Sequence, residues 1–138
     1  MTEAQHHPAF DYNKALVHVQ DDVALLDEVI ALFFERLPGL LSEIREAVES
    51  RNCRGLECAA HELKGAVSIF GAKQVLYHAV KLEGMGLSND FRDVQRHYSD
   101  LREQLSLLKE ALTKCSSDHR GARPGAQPKE INSDLPGN

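Results

Sequence analysis

Residues 90–115 read DFRDVQRHYSDLREQLSLLKEALTKC. Apolar side chains recur through this segment at alternating three- and four-residue steps, at Phe91, Val94, Tyr98, Leu101, Leu105, Leu108 and Leu112. Such spacing lines one face of an α-helix, and that face needs partner helices to cover it. An isolated coiled-coil dimer would use the same face. Short amphipathic helices elsewhere in the chain need burial as well, which favours an antiparallel four-helix bundle.

Helical periodicity also governs the chain before residue 90, where no segment shows the two-residue alternation of a strand between turn signals. Proline lacks an amide hydrogen and fits the first helical position, so we expect Pro38 to separate two helices. The predicted helices here are a short one from about Asp11, one from the Asp21–Asp22 cap to about Leu37, one from Pro38 to the Asn52 turn, one over Cys53–Ile69 that ends near Gly71, and one that Gly84 and Gly86 close. The predicted fold is all-α, an antiparallel four-helix bundle with a short additional N-terminal helix.

The composition fits one small domain. With 138 residues, 42% of them hydrophobic, the chain can build one modest core and has no room for a second catalytic domain. We place the domain at residues 10–115, between a flexible arm over residues 1–9 and a polar tail over residues 116–138. The tail is rich in glycine and proline, and we expect it to be disordered. A net charge of -5, with both signs mixed along the chain, offers no basic patch for nucleic acid.

The cysteines and histidines show no metal or disulfide pattern. The chain has three cysteines, Cys53, Cys58 and Cys115. Their odd number and the lack of a C-x-x-C pair argue against a disulfide framework and a zinc site. His78 and His97 have no matched ligand spacing, so we predict no metal and no cofactor. The longest strongly apolar stretch, Val29–Phe34, is too short to span a bilayer, and we expect a cytoplasmic protein with reduced thiols.

The segment that carries chemistry is residues 60–71, AHELKGAVSIFG. At about 100° per residue, one sector of this helix collects the apolar side chains of Leu56, Ala59, Ala60, Leu63, Val67 and Phe70. His61 lies roughly 140° from the middle of that sector, so its imidazole should face solvent or a partner. Gly65 follows one turn later, where glycine costs about 1 kcal/mol relative to alanine. Because helical side chains lean toward the N-terminus, glycine here leaves the surface around His61 bare.

An exposed imidazole with a pKa near neutrality is a competent nucleophile toward phosphorus. Lys64 leans toward the same surface and could offset the charge of a phosphoryl group on His61. In-line transfer also needs a metal ion and a donor or acceptor carboxylate, and this chain has no acidic motif that would supply them. The partner must therefore bring both.

The residues Ala60-His61-Glu62-Leu63-Lys64-Gly65, followed by Gly71-Ala72, are similar to the pattern of the histidine-containing phosphotransfer (HPt) family. The resemblance covers roughly residues 10–113. It extends through Phe10-Asp11-Tyr12, the junction from Phe33-Phe34 to Leu37-Pro38, Ala47, and Lys81-Leu82-Glu83.

This resemblance implies a four-helix bundle whose His61 accepts a phosphoryl group at Nε2 from an aspartyl phosphate on the receiver domain of a hybrid sensor kinase. His61 would pass that group to the aspartate of a response regulator, so the protein would be a relay without ATP-dependent kinase activity. Lys64 would compensate charge, Gly65 would give clearance, and Glu83 would hydrogen-bond the imidazole. Receivers, each with its own Mg²⁺, would dock on exposed apolar parts of the opening and second helices. We expect a monomer.

Two other interpretations stay open. An HPt-like scaffold could bind a receiver without phosphotransfer, although His61, Lys64 and Gly65 are intact. The sequence His61-Glu62-Leu63-Lys64 also resembles the phosphoacceptor box of histidine kinase dimerisation domains. That box usually continues Thr-Pro-Leu, whereas this chain has Gly65-Ala66-Val67 and no glycine-rich ATP-lid motif after it.

Overall fold

The computed structural model describes residues 9–122, which form five α-helices and contain no β-strand. The helices are α1 (Tyr12–His18), α2 (Val23–Ser50), α3 (Cys53–Ser68), α4 (Lys73–Ser88) and α5 (Val94–Ala122). The predicted all-helical class is confirmed. No helix in this part of the chain is long and apolar enough to cross a membrane.

One core is shared by the four long helices. Each of α2, α3 and α4 packs against the helix that follows it, and α2 also contacts α5, while α1 packs on α2. The apolar face predicted for the last helix points into this core. The four leucines of that face are at most 1% exposed, and within the face only Tyr98 is half-buried. Burial of each leucine contributes about 1.5–3 kcal/mol, so this face is a main source of stability.

Short polar residues define where the helices begin. Asp11, Asp22 and Asn52 each accept a hydrogen bond from a backbone amide three residues later, at 2.9–3.0 Å. These N-caps satisfy amides that have no partner within the helix, at a gain of typically about 1 kcal/mol each. At the end of α3, Gly71 adopts a φ of +61°, the left-handed conformation that glycine tolerates best. The sequence correctly predicted this ending.

The predicted break at Pro38 is wrong. α2 runs without interruption from Val23 to Ser50 with Pro38 inside it. Proline costs a helix interior about 3 kcal/mol through a lost hydrogen bond and a steric clash. Burial of the core face of α2 offsets this cost. That face keeps its three- and four-residue spacing across the proline through Leu37, Leu40 and Ile44, all at most 2% exposed. A continuous helix keeps both halves of that face in one core.

The predicted closure of α4 at its glycines is also wrong, because α4 continues to Ser88 and ends at Asn89 with a φ of 55°. Gly86 lies where α4 touches α3: a Cβ there would stand 2.7 Å from the carbonyl oxygen of Cys53 and from the amide nitrogen of Glu57. A glycine that suggests a helix end in the sequence is therefore a close helix contact. Gly84, by contrast, faces open space.

Both predicted domain limits differ from the structure. α5 continues to Ala122, so residues 116–122, predicted in the tail, are helical. Ala9, predicted in the flexible arm, is 8% exposed and belongs to the core. The remaining parts of those two predictions, residues 1–8 and 123–138, lie outside the described residues.

Candidate functional site

His61 occupies the outer ridge of α3. Its side chain is 66% exposed, while Ala60 and Leu63 on either side of it are fully buried. This orientation agrees with the one predicted from helical periodicity. When the apolar face of a helix is buried, the opposite face points to solvent. The imidazole is therefore open to a partner protein.

Glu83 on α4 connects the predicted site residues. One carboxylate oxygen, Oε2, lies 2.7 Å from His61 Nδ1, and the other, Oε1, lies 2.8 Å from Lys64 Nζ. Only 14% of the Glu83 side chain is exposed. The hydrogen bond from Lys64, and then that from His61, hold the pKa of Glu83 below its ordinary value of 4.5. Glu83 is thus an ionised carboxylate at neutral pH.

The ionised carboxylate determines where the proton of a neutral His61 ring resides. A carboxylate only accepts hydrogen bonds, so Nδ1 must carry the hydrogen that it donates to Glu83. The second nitrogen, Nε2, then holds the free lone pair. The geometry therefore gives an exposed imidazole whose Nδ1 is held by Glu83.

Lys64 is half-buried, and its ammonium pairs with Glu83. The charge that the sequence predicts beside His61 is therefore present, though it is held by the same carboxylate that orients the imidazole. His61, Lys64 and Glu83 thus bring an imidazole, an ammonium and a carboxylate together. A phosphoryl dianion on His61 would lie near the Lys64 ammonium. The Glu83 carboxylate would still keep its hydrogen bond from His61 Nδ1.

Gly65 lies one turn after His61 with nothing beside it. A Cβ built at this position would meet no atom within 4 Å outside its own helix turn. A glycine needed for contact with a crossing helix would show close neighbours, as Gly86 does, so that reason for glycine does not apply to Gly65. The Ser68 hydroxyl hydrogen-bonds within its own helix, because it donates to the Gly65 carbonyl at 2.8 Å.

Exposed apolar side chains lie on α1 and α2. Val17 is 74% exposed, Leu25 is 41% exposed and Leu32 is 63% exposed. Arg36, one turn after Leu32, donates to Glu62 beside His61 at 2.7 Å and 2.9 Å. This link joins α2, one turn after the exposed Leu32, to the residue next to His61.

The sequence did not reveal Arg36 as part of this surface. Arg36 also contacts Glu43, so one guanidinium bridges two carboxylates. The partner Glu62 lies 26 residues away, and no local spacing signals such a pair. Only the packing of α2 on α3 brings them together.

A buried histidine pair joins α4 and α5. His78 and His97 are 9% and 6% exposed, and their Nδ1 atoms lie 3.1 Å apart. One ring must donate and the other accept, so the shared edge holds one hydrogen. Within residues 9–122, no three histidine, cysteine or acidic side chains converge as a metal site would require. We therefore interpret the pair as a packing contact.

We expect this pair to make stability fall in mild acid. Burial, and then the nearby His78, hold the pKa of His97 below its ordinary value of 6.5. The unfolded chain then binds more protons than the folded one, so stability is present above pH 6.5 and declines as the pH falls below it. Urea denaturation between about pH 7.5 and pH 5.5 should show this loss, and His97→Gln should reduce it. An equal acid loss in the variant would exclude His97 as the cause.

Comparisons with known proteins agree on one family. The Hpt domain family model matches residues 28–114. The chain is also similar to the phosphorelay intermediate protein rdeA of Dictyostelium discoideum, with 26% identity over 96 residues. That match covers 70% of this chain and 35% of the relative, so the chain spans about a third of the relative's length. No solved structure gives a significant match.

Proposed function

Because the chain belongs to the Hpt domain family, we propose that it is a histidine phosphotransfer protein that works through His61. His61 accepts a phosphoryl group from the aspartyl phosphate of a receiver domain, such as that of a hybrid sensor kinase. It then passes the group to the aspartate of a response regulator. The observation that carries this proposal is the Glu83–Nδ1 hydrogen bond, which leaves Nε2 free on an exposed ring.

The transfer step needs no proton movement. The Nε2 lone pair attacks phosphorus, a P–N bond forms, and the acyl phosphate bond breaks to return the receiver's aspartate as a carboxylate. The ring gains positive charge as it becomes a phosphoimidazolium, with its hydrogen still on Nδ1. Glu83, an anion placed 2.7 Å from that nitrogen, stabilises this charge as it develops. Transfer to a second receiver reverses these changes.

Lys64 and the receiver supply the positive charges that stabilise the transferring phosphoryl group. The Lys64 ammonium stands beside the site on the Glu83 carboxylate and offsets part of the phosphoryl charge. We propose that the receiver supplies Mg²⁺ and the reacting carboxylate, and that this chain has no ATP-dependent kinase activity and no cofactor of its own. The odd number of cysteines fits reduced thiols, and the cytoplasm is the proposed compartment.

Receivers would dock over His61 and the exposed apolar side chains of α1 and α2, with Gly65 giving clearance. Contiguous exposed apolar side chains mark protein interfaces, and Leu32 lies one turn before Arg36, which bonds to Glu62 next to His61. We further propose that α2 to α5 form an antiparallel bundle in a monomer. Support comes from the short connections between contacting helices, such as the two residues between Ser50 and Cys53.

Phosphorylated receiver domains provide the direct test. The purified chain is mixed with each of a panel of such receivers, and phosphate is followed from receiver to chain and then to a second, unphosphorylated receiver. Transfer in both steps is expected from at least one pair. Tight binding of a receiver without any transfer would replace the relay with a scaffold.

Lys64→Ala should slow transfer without abolishing it. The substitution removes one cation near the phosphoryl group but leaves the hydrogen bond between Glu83 and His61, so roughly a tenfold decrease in rate is expected. Rapid-quench measurement of receiver-to-chain transfer checks this. Lys81→Ala, an exposed lysine of α4, is the matched control. An unchanged rate in Lys64→Ala would remove Lys64 from the mechanism.

A further inference from the structure

The last turns of α5 make a polar contact that the transfer chemistry does not use. The His119 ring lies between two helices: its Nδ1 is 2.8 Å from Asp27 Oδ1 on α2, and its Nε2 is 2.9 Å from the Tyr12 hydroxyl on α1. Ser116 donates to the same Asp27 oxygen at 3.2 Å. Only 10% of the His119 side chain is exposed, so water competes weakly for these bonds.

Each member of this contact has a defined role. The Asp27 carboxylate accepts a hydrogen bond from His119 Nδ1, and in the neutral ring Nε2 then offers its lone pair to the Tyr12 hydroxyl. Burial raises the pKa of Tyr12, which keeps its proton and remains a donor. The His119 ring therefore joins α1 to α2 with both nitrogens paired.

A catalytic role for this group is not supported. Cys115 lies 3.7 Å from His119 Nε2, but it is fully buried, and burial raises the pKa of its thiol to about 12. A buried protonated thiol is a poor nucleophile. The contact therefore has a structural role. Its functional effect depends on the exposed side chains of the two helices that it joins, α1 and α2.

The helix that His119 holds is too short to be stable alone. α1 has seven residues, and isolated helices of that length are marginal in water. Its start is fixed by the Asp11 amide, which donates to the Phe70 carbonyl at 2.9 Å, and by the Tyr12 bond to His119. The same helix presents Val17, the most exposed large apolar side chain of the described residues.

We propose that His119 is a positioning residue for receiver docking, because it holds α1, which carries the exposed Val17, against α2, which carries the exposed Leu25. This inference rests on the proposed function, since it assigns a role to His119 in the docking that precedes transfer. Tyr12, Asp27 and His119 all lie outside the family match of residues 28–114. The contact acts on the docking surface and not on the His61 chemistry.

The test separates docking from chemistry in the full-length chain. His119→Ala removes both bonds, Tyr12→Phe removes only the hydroxyl, and His119→Gln keeps one donor and one acceptor. Thr113→Ala, an exposed α5 position, is the control. For each variant, one measures amide hydrogen exchange of α1, KM and kcat for a phosphorylated receiver, and labelling of His61 by phosphoramidate, which needs no receiver. Circular dichroism checks that each variant is folded.

His119→Ala and Tyr12→Phe should speed α1 exchange and raise KM, both by roughly tenfold, because the docked helix is populated for a smaller fraction of the time. Saturating kcat and phosphoramidate labelling should not change, and His119→Gln should restore much of the KM. Unchanged α1 exchange or unchanged KM in the folded alanine variant would overturn the inference. If no receiver labels the wild type while phosphoramidate does, the proposed function and the docking role both fail, even where α1 exchange still rises.

Discussion

His61→Gln should lose phosphoryl acceptance entirely while the bundle stays folded. Glutamine has no nucleophilic nitrogen, so no P–N bond can form at this position. The His61 side chain is 66% exposed and hydrogen-bonds to Glu83, which Lys64 also holds, so little stability depends on the ring. Acid-labile phosphate retained on the chain, together with thermal denaturation, measures both effects.

The control for His61→Gln is His18→Gln. His18 is an exposed histidine on α1 whose ring contacts the local Lys14 carbonyl at 3.0 Å. This variant should keep its label. Label retained on folded His61→Gln would show that another residue accepts the phosphoryl group.

Gly65→Leu should decrease kcat/KM for a receiver by about a hundredfold or more without loss of fold. The added side chain leans toward the N-terminus and covers the surface around His61, where the receiver must approach in line. Open space around position 65 means that nothing in the core is disturbed. Helix propensity should in fact make the variant more stable by about 0.5–1 kcal/mol. Loss of function with gained stability separates steric blocking from unfolding.

Gly84→Leu is the matched control for this substitution. Gly84 is also an exposed helical glycine, and a Cβ added to it would likewise meet no atom within 4 Å, but it lies on α4. The same gain in helix propensity applies there, whereas transfer should remain close to wild type. Gly65→Leu with wild-type transfer would contradict the clearance role, and equal losses at both positions would point to a cause other than clearance.

Local periodicity predicted much of this molecule. The spacing of leucines in α5 indicated its buried face, and the apolar sector of α3 indicated the outward orientation of His61, because both depend only on 3.6 residues per turn. The predicted Asp21–Asp22 cap likewise depends on local sequence, since Asp22 accepts from the Leu25 amide three residues later. Such features need no knowledge of the rest of the fold.

Features that depend on distant packing escaped sequence reasoning. Pro38 suggests a helix break unless one knows that both halves of α2 face the same core. Gly86 suggests a helix end unless one knows that α3 passes within van der Waals distance of it. The contact between Tyr12 and His119 spans 107 residues and also required α5 to extend beyond its predicted end. Glu83 could be named from a family resemblance, but its link to Lys64 could not.

The central claim is that Glu83 fixes the hydrogen on Nδ1 so that Nε2 of His61 takes the phosphoryl group. The most direct test is to label the wild-type chain from a phosphorylated receiver and to locate the phosphate by ¹H–¹⁵N and ³¹P NMR of the ring. The account predicts phosphate on Nε2 of His61. Phosphate on Nδ1, on another residue, or on none after exposure to every receiver in the panel would contradict it.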